Sequence, residues 1–188
     1  MNFKDLLKNR KTAIVKKWFH ATADRYPSPA SNFIKGQADS FHNPVGHTLA
    51  EGVEGLFDGL LQDDANSERF FPYLNDIIKI KAVQDFSPSN AISFIFLLKP
   101  IIREEIAKEI KGKNYSDELS SFESQIDGLA LLSFDIYMKC RERIYEIKTE
   151  EVKRMTFGLL KRANLICDIR DQEPENGSES VLTQKIEG

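Results

Sequence analysis

The sequence has few cysteines, no long apolar run and little excess charge. Its 188 residues include two cysteines, Cys140 and Cys167, which are too few for a disulfide framework or a cysteine-based metal site. The longest apolar stretch, residues 91–98 with one serine, is far shorter than the roughly 18 residues that a membrane span requires. The 26 basic and 29 acidic side chains give a net charge of -3, whereas a nucleic-acid-binding domain is normally basic. We therefore expect neither a membrane span nor a nucleic-acid partner.

The N-terminal segment also lacks the apolar centre of a secretory signal. Lysines and arginines are scattered through an amphipathic pattern there, and we expect a cytoplasmic protein. What the chain does contain is apolar: 41% of its residues are hydrophobic, with 13 Phe and 18 Ile, which argues against a disordered regulator. This composition suits one compact domain.

Strand-forming patterns are almost absent. Val and Thr together number 12, and no segment keeps a strict alternation of apolar and polar residues between turn signals. Apolar residues recur instead at helical spacing. The pattern predicts an all-α fold, a single-domain helical bundle of about six helices with a long C-terminal helix. The expected helices cover about residues 2–25, 30–41, 45–62, 67–81, 88–106 and 116–162.

Prolines mark several expected helix boundaries. Because a proline disfavours helical geometry in the preceding residue, Tyr26 and Ser28 are expected to be extended. Ser87 and the proline after it are typical of a helix start, with Ser87 as the capping residue. Pro100 lies inside an apolar helical pattern, and we expect a kink near Phe96.

The final helix and the tail differ in composition. From residue 116 the apolar positions follow a near-heptad pattern, which predicts a long helix, continuous or broken near Thr149 or Gly158. Such a helix would extend beyond a domain of this size or pair with a second copy, and we expect a homodimer. After residue 167 the sequence becomes polar and acidic, as in disordered tails. The predicted organisation is a helical domain over residues 1–167 and a polar tail over residues 168–188.

Gly52, Gly55 and Gly59 form a stripe on one face of the third helix. A glycine in a helix interior costs about 0.8–1 kcal/mol relative to alanine. Some close contact should therefore require the missing side chains. Close approach of another helix is the interpretation that we favour, and a ligand or cavity on the stripe is the alternative.

Lys79, Lys81 and Asp85 precede the helix start at Ser87. The two lysines could line an anion pocket, to which the free N–H groups after Ser87 would add positive potential. The alternative, which we favour, is an exposed connector in which Asp85 and Ser87 cap the next helix.

Lys99 and Arg103 are four residues apart and share one face of a mostly apolar helix. Three uses are open for them. They could reach the surface with their long side chains, pair with carboxylates such as Asp127 or Asp135, or mark the polar end of a pocket.

The histidines give only a weak indication of a metal or haem site. Glu51 lies one helical turn after His47, but the pair has no recognised metal spacing, and His20 fits the C-terminal end of the first helix. No nucleophile elbow, phosphate-binding loop, dinucleotide fingerprint or zinc-protease motif occurs. We therefore expect no enzyme and no cofactor. A haem- or metal-binding helical protein, with His47 or His20 as ligand, is the alternative.

Several sequence blocks carry a family resemblance. The blocks are FHNPVG at 41–46, LFDGL at 56–60, IIKIKAVQDFSPS at 77–89 and FDIYMKCR at 134–141, together with Trp18, Tyr26, Pro27 and Phe33. Over about residues 1–165 the chain resembles the RsbRD-type N-terminal domain, the sensory domain of a class of stressosome co-antagonist proteins. The order and separation of the blocks match as well as their letters.

The resemblance implies a helical signal-input module that often feeds a C-terminal STAS output domain. Because an acidic tail follows residue 170, we expect this chain to act without a STAS domain, as a non-enzymatic sensor or interaction domain. Similar stand-alone proteins are associated with membrane redox complexes of sulfite reduction, so a peripheral association with such a complex is a further expectation. The protein partner or small ligand itself is not identified by the sequence. The predicted ligand- or partner-binding residues are Asn43, Gly46, Gly52, Gly55, Gly59, Lys79, Lys81, Asp85, Lys99 and Arg103, and no catalytic or metal-ligating residue is predicted.

Overall fold

A computed structural model describes residues 2–36, 41–62, 67–110 and 115–163. These residues form helices joined by short turns, and no strand occurs among them, which confirms the predicted all-α fold with a long C-terminal helix. The helices are α1 (Phe3–Ala23), α2 (Ser28–Gly36), α3 (Pro44–Leu61), α4 (Phe71–Val83), α5 (Pro88–Phe96), α6 (Leu98–Ile110) and α7 (Ser116–Arg162), with a short 3-10 helix (Ser67–Phe70) before α4.

Short polar side chains fix the starts of three helices. Each accepts a hydrogen bond from the backbone amide three residues later: Asn2 at 2.7 Å before α1, Asn43 at 2.8 Å before α3, and Ser87 at 3.4 Å before α5. An amide in the first turn has no partner within the helix, so such a cap stabilises the helix end. The predicted helix start at Ser87 is confirmed.

The start of α2 differs from the prediction. Ser28 is the first residue of α2, two residues before the predicted start, so the expectation of an extended Ser28 is wrong. Pro29 stands in the first turn of the helix, where its missing N–H would have had no partner. The helix ends at Gly36, and residues 37–40 lie outside the described residues.

The fifth expected helix is divided in two. α5 ends at Phe96, Leu97 forms a turn, and α6 begins at Leu98. Pro100 has no N–H to donate to the carbonyl group of Phe96, so the helical hydrogen bonding is interrupted where the sequence predicted a kink. If α5 and α6 are counted as one interrupted helix, the expected six helical segments are present in the described residues.

Residues 1–146 form one compact unit with α1 at its centre. α1 packs on α3, α5 and α6, and α4 packs on α3 and α5. α7 joins this core through Phe122, whose ring meets that of Phe3 edge-on at a centroid distance of 6.0 Å. The completely buried side chains include Leu7, Ile14, Trp18, Leu49, Leu56, Leu74, Ile77 and Phe94.

Residues 147–188 form a second unit, of which the structure describes residues 147–163. They belong almost entirely to the end of α7, and the helix is broken at neither Thr149 nor Gly158. The large apolar side chains of this segment are exposed: Ile147, Val152, Met155, Phe157, Leu159 and Leu160. The predicted boundary at residue 167 and the predicted tail lie outside the described residues. Among the described helices, none is both long and apolar enough to cross a membrane.

Candidate functional site around Lys81

Lys81 is buried on the apolar face of α4. Its relative exposure is 0%, the same as that of Leu74, Ile77 and Ile78, which lie seven, four and three residues before it on the same face. In the part of the chain that the structure describes, Lys81 is the one charged residue that is buried. A buried charge without a partner is costly, so this position requires a specific explanation.

Three aromatic rings surround the Lys81 ammonium group. Its Nζ atom lies 5.0 Å from the ring centroid of Tyr26, 4.8 Å from that of Phe86 and 5.6 Å from that of Phe94. The negative faces of aromatic rings attract a cation by about 0.5–2 kcal/mol each, depending on desolvation. The rings therefore offset part of the cost of removing the ammonium group from water.

Burial nevertheless disfavours the charged form of Lys81. Desolvation lowers the pKa of Lys81 to about 8, and the nearby positive charge of Arg25 acts in the same direction. Burial also raises the pKa of Tyr26 to about 12, so its phenol keeps its proton at neutral pH. The surroundings therefore disfavour the charged form of Lys81 and keep the hydroxyl group of Tyr26 neutral.

Among the described residues, three polar atoms on α1, on α4 and in the turn between α1 and α2 have no hydrogen-bond partner. They are Lys81 Nζ, the hydroxyl oxygen of Tyr26 and Oγ1 of Thr22, all of them buried. Thr22 follows Trp18 by one helical turn on the buried face of α1, and the Trp18 ring stacks on that of Phe94 at 6.2 Å. Buried polar groups in proteins are nearly always paired, so each of these three atoms requires a specific explanation.

The chain turns sharply directly after Lys81, over residues 84–87, which we call the 84–87 turn. The backbone amide of Phe86 donates to the carbonyl oxygen of Lys81 at 3.1 Å. Asp85 has a φ of 56°, in the left-handed region that Asp tolerates better than most residues. The turn therefore positions the Phe86 ring against the ammonium group of Lys81.

Two side chains of α7 hold this turn. The Tyr137 hydroxyl donates to the carbonyl oxygen of Phe86 at 2.5 Å. The Arg141 guanidinium donates to the carbonyl oxygen of Ala82 at 3.0 Å and to the Asp85 carboxylate at 2.5 Å. The Asp85 carboxylate and the Tyr145 hydroxyl raise the pKa of Arg141, which stays charged. α7 is thus connected to the aromatic surroundings of Lys81 by hydrogen bonds to the backbone.

The other cationic residues of the predicted site lie elsewhere. Lys79 is exposed, so it does not share a pocket with Lys81. Lys99 binds Asp127 at 2.6 Å, which is one of the pairings expected from the sequence. Arg103 binds both carboxylate oxygens of Glu123, at 2.6 and 2.7 Å, and thereby lowers the pKa of Glu123. These last two pairs join α6 to α7.

Asn43 and Gly46 form the corner between α2 and α3. The Asn43 amide group donates to the carbonyl oxygens of Phe33 and Ile34, at 3.1 and 2.9 Å, while its oxygen caps α3. A Cβ atom on Gly46 would lie 2.6 Å from the carbonyl oxygen of Ile34. Both residues are buried, and their contacts are those of a tightly packed helix corner.

The glycine stripe of α3 is covered by neighbouring side chains. A Cβ atom would lie 2.5 Å from Ile77 at Gly52, 2.3 Å from Tyr73 at Gly55 and 2.4 Å from Phe70 at Gly59. The favoured interpretation, close approach of another element, accounts for the stripe. Gly52 and Gly55 also line a surface pocket of about 410 Å³ whose other lining residues are Thr48, Glu51, Glu54, Asp58, Pro72, Tyr73 and Asp76.

His47 and His20 contact side chains of their own helices. His47 Nε2 lies 3.2 Å from the carboxylate of Glu51, and His20 stands in the last turn of α1, edge-on to the ring of Phe19. Within the described ranges, no group of three or more His, Cys, Asp or Glu side chains is placed to hold a metal ion.

Lys81 and Asp85 were among the predicted residues, but the favoured interpretation of an exposed connector is wrong for Lys81, which is buried. Ser87 caps α5, whereas Asp85 binds Arg141. The residues that surround Lys81 were missed. Lys81 occupies an apolar position in the helical spacing of Leu74, Ile77 and Ile78, and this was a readable sign of burial. Tyr26, Phe94 and Tyr137 come from three distant parts of the chain. Local spacing could not indicate that they would meet Lys81 or its turn, because their meeting depends on how the helices pack.

One of the three comparisons with known proteins finds a match. The family model described as "RsbT co-antagonist protein rsbRD N-terminal domain" matches residues 12–152. The matched range includes Lys81, the 84–87 turn, Tyr137 and Arg141. Among curated proteins and solved structures, none matches the chain.

Proposed function

The chain belongs to the RsbT co-antagonist protein rsbRD N-terminal domain family, a family of stressosome-type sensor domains, and from this premise we propose a non-enzymatic signal-sensing function. In this proposal the domain senses its signal in the core around Lys81. It passes the response to α7 through the 84–87 turn, and α7 is the element that a partner protein reads.

The connection between the turn and α7 is the observation on which this proposal rests. Tyr137 and Arg141 bind three acceptors in the segment from Ala82 to Phe86, and two of the three are backbone carbonyl groups. Backbone acceptors move with the chain, so a shift of the turn changes the contacts of α7 directly. The Lys81 carbonyl group is itself bonded to the turn through Phe86, which links the buried lysine to the same connection.

The physical mechanism is a shift between two packings of the same helices. A ligand or partner that prefers one arrangement of the turn increases the population of that arrangement by its difference in affinity. A difference of 1.4 kcal/mol changes the ratio of the two populations by about tenfold. The sensor therefore needs only a modest preference of the signal for one state.

Hydrogen exchange measured by mass spectrometry tests this connection. In Arg141→Ala we expect faster amide exchange both in residues 82–87 and in the adjacent part of α7, because the substitution removes three hydrogen bonds of one guanidinium group. Tyr137→Phe should produce a smaller change in the same two segments, since it removes only one hydrogen bond.

Arg143→Ala is the matched control, because Arg143 is an exposed arginine of the same helix that pairs with Glu146, three residues away. Its exchange pattern in residues 82–87 should equal that of the wild type. If Arg141→Ala loosens the turn and leaves α7 unchanged, the proposed route from the core to α7 is wrong.

The partner side of the proposal concerns the surface of α7. Exposed apolar side chains recur there every seven residues, at Leu131, Met138, Tyr145, Val152 and Leu159. We name these five residues the α7 seam. A seven-residue apolar repeat is typical of helices that pair, so the seam supports the proposed cytoplasmic homodimer. A membrane redox complex of sulfite reduction is a candidate partner for the dimer, through peripheral contact.

A further inference from the structure

Among the residues that the structure describes, no buried counter-ion accompanies the ammonium group of Lys81. Every other buried polar side chain in the described residues is uncharged: Thr22, Ser31, Asn43 and Ser133. No carboxylate in this part of the chain is buried with Lys81, and Lys81 Nζ has no hydrogen-bond acceptor. The aromatic rings stabilise the charge from three sides but accept no strong hydrogen bond. The unsatisfied requirement at this position is an acceptor with a negative charge.

Two other buried hydroxyl groups without a partner, those of Tyr26 and Thr22, can supply hydrogen bonds to the same kind of molecule. The Tyr26 phenol stays protonated, because burial raises its pKa to about 12, and Thr22 carries a hydroxyl group that can donate. Lys81 contributes up to three N–H donors and one positive charge. A molecule that satisfies these groups has several oxygen acceptors and a single negative charge.

We propose that Lys81, Tyr26 and Thr22 form an internal binding site for one small monovalent oxyanion, such as a carboxylate. The anion neutralises the buried ammonium group and accepts hydrogen bonds from the two hydroxyl groups. This site deepens the proposed sensing function, on which its signalling role rests, by giving the chemical class of the sensed ligand. The link to α7 is the bond between the Lys81 carbonyl group and the 84–87 turn.

The test uses the full chain and two probes, sodium formate and sodium nitrate, in a buffer of low anion content at pH 7. The thermal midpoint is measured as a function of probe concentration for the wild type and for Lys81→Met. We expect the wild type to gain a few degrees along a saturable curve that Lys81→Met lacks. The difference between the two proteins removes the general effect of salt, which acts on both.

Lys79→Met is the matched control, because Lys79 is an exposed lysine two residues away on the same helix. In Lys79→Met the thermal midpoint should rise with probe concentration along the same saturable curve as in the wild type. Tyr26→Phe and Thr22→Val each remove one proposed donor and should weaken the apparent affinity for formate severalfold, which a merely structural role of these hydroxyl groups would not do.

Equal gains in the wild type and Lys81→Met, or a gain in the wild type that never saturates, would overturn the anion site. Resonances of the lysine ε-carbons give a direct second reading: the Lys81 signal should shift with formate concentration, and a signal that does not move would also overturn it. The exchange experiment on Arg141→Ala is independent of added anion. The route from the turn to α7 can therefore stand even if no anion binds.

Discussion

At the scale of single residues, the buried charge of Lys81 destabilises the core. An aliphatic residue of similar length would fill the same space without the desolvation of a charge, and replacing buried charges by apolar residues is often stabilising. The aromatic rings reduce the cost but leave the pKa of Lys81 at about 8, well below its usual 10.5. A costly residue of this kind is typical of functional sites rather than of structural ones.

Lys81→Met should therefore stabilise the folded protein at pH 7. A pKa lowered from 10.5 to about 8 corresponds to about 3 kcal/mol, which we expect as the gain in the free energy of unfolding. Below about pH 8 the lysine is charged in both states, so the wild type bears this cost in full. Between about pH 8 and 10.5 the folded state loses its proton first, the cost disappears, and the two proteins should converge. Urea unfolding between pH 7 and 10.5 measures the difference.

The same series on Lys79→Met provides the comparison. Its difference from the wild type should stay within about 0.5 kcal/mol at every pH, as for other exposed substitutions. A Lys81→Met protein that is less stable than the wild type at pH 7 would mean that the interactions with the three rings outweigh the desolvation cost.

At the scale of helices and turns, the two kinds of glycine in the chain should respond oppositely to alanine. Gly46→Ala would bring a Cβ atom within 2.6 Å of the Ile34 carbonyl oxygen and 2.2 Å of the Asn43 side chain, which caps α3. We expect a loss of about 2 kcal/mol, comparable to the loss of a strong helix cap. At Gly128 the added Cβ would meet no described side chain and no neighbouring element within 4 Å, so Gly128→Ala should gain about 0.5–1 kcal/mol.

Thermal unfolding of both variants measures these changes, since about 1 kcal/mol shifts the midpoint of a domain of this size by about 2–4 °C. The essential result is that Gly46→Ala lowers the thermal midpoint and Gly128→Ala raises it. A Gly46→Ala protein as stable as the wild type would show that the corner between α2 and α3 relaxes at little cost.

Many of the helix starts, ends and interruptions could be predicted from the sequence. The cap at Ser87, the interruption at Pro100 and the long α7 all follow from local rules, because each depends on residues next to one another in the chain. The start of α2 was misjudged since Pro29 is favourable in a first turn as well as unfavourable to its predecessor.

The candidate site could be predicted only in part, for a physical reason. The role of Lys81 is defined by rings that come from residues 26, 86 and 94, and that of Asp85 by Arg141, 56 residues later. Which distant side chains meet is decided by helix packing, whereas the spacing along one helix reveals only which face is buried. Lys99 is an intermediate case: the expected candidates included its partner Asp127, but Arg103 binds Glu123 instead of the named carboxylates.

At the scale of the whole molecule, the proposed homodimer should form through the α7 seam. Light scattering after size exclusion should give about twice the chain mass of 21.5 kDa for the wild type at high concentration. The double variant Leu131→Glu with Val152→Glu should give the mass of one chain, because two seam positions then carry like charges that face their counterparts.

The control variant, Gln125→Glu with Phe157→Glu, introduces the same number of carboxylates at exposed positions outside the seven-residue register. It should remain dimeric. A wild type that is monomeric at every concentration would contradict the homodimer, and a control that dissociates as readily as the seam variant would place the interface elsewhere on α7.

The single tryptophan of the chain gives the molecule a built-in optical reporter. Trp18 is fully buried, its indole N–H donates to the Phe94 carbonyl oxygen at 2.7 Å, and its ring stacks on the ring that faces Lys81. Indole emission depends on the charges and polarity near the ring. Fluorescence from this one residue, without any label, should therefore follow the charge state of Lys81 and the binding of the proposed anion.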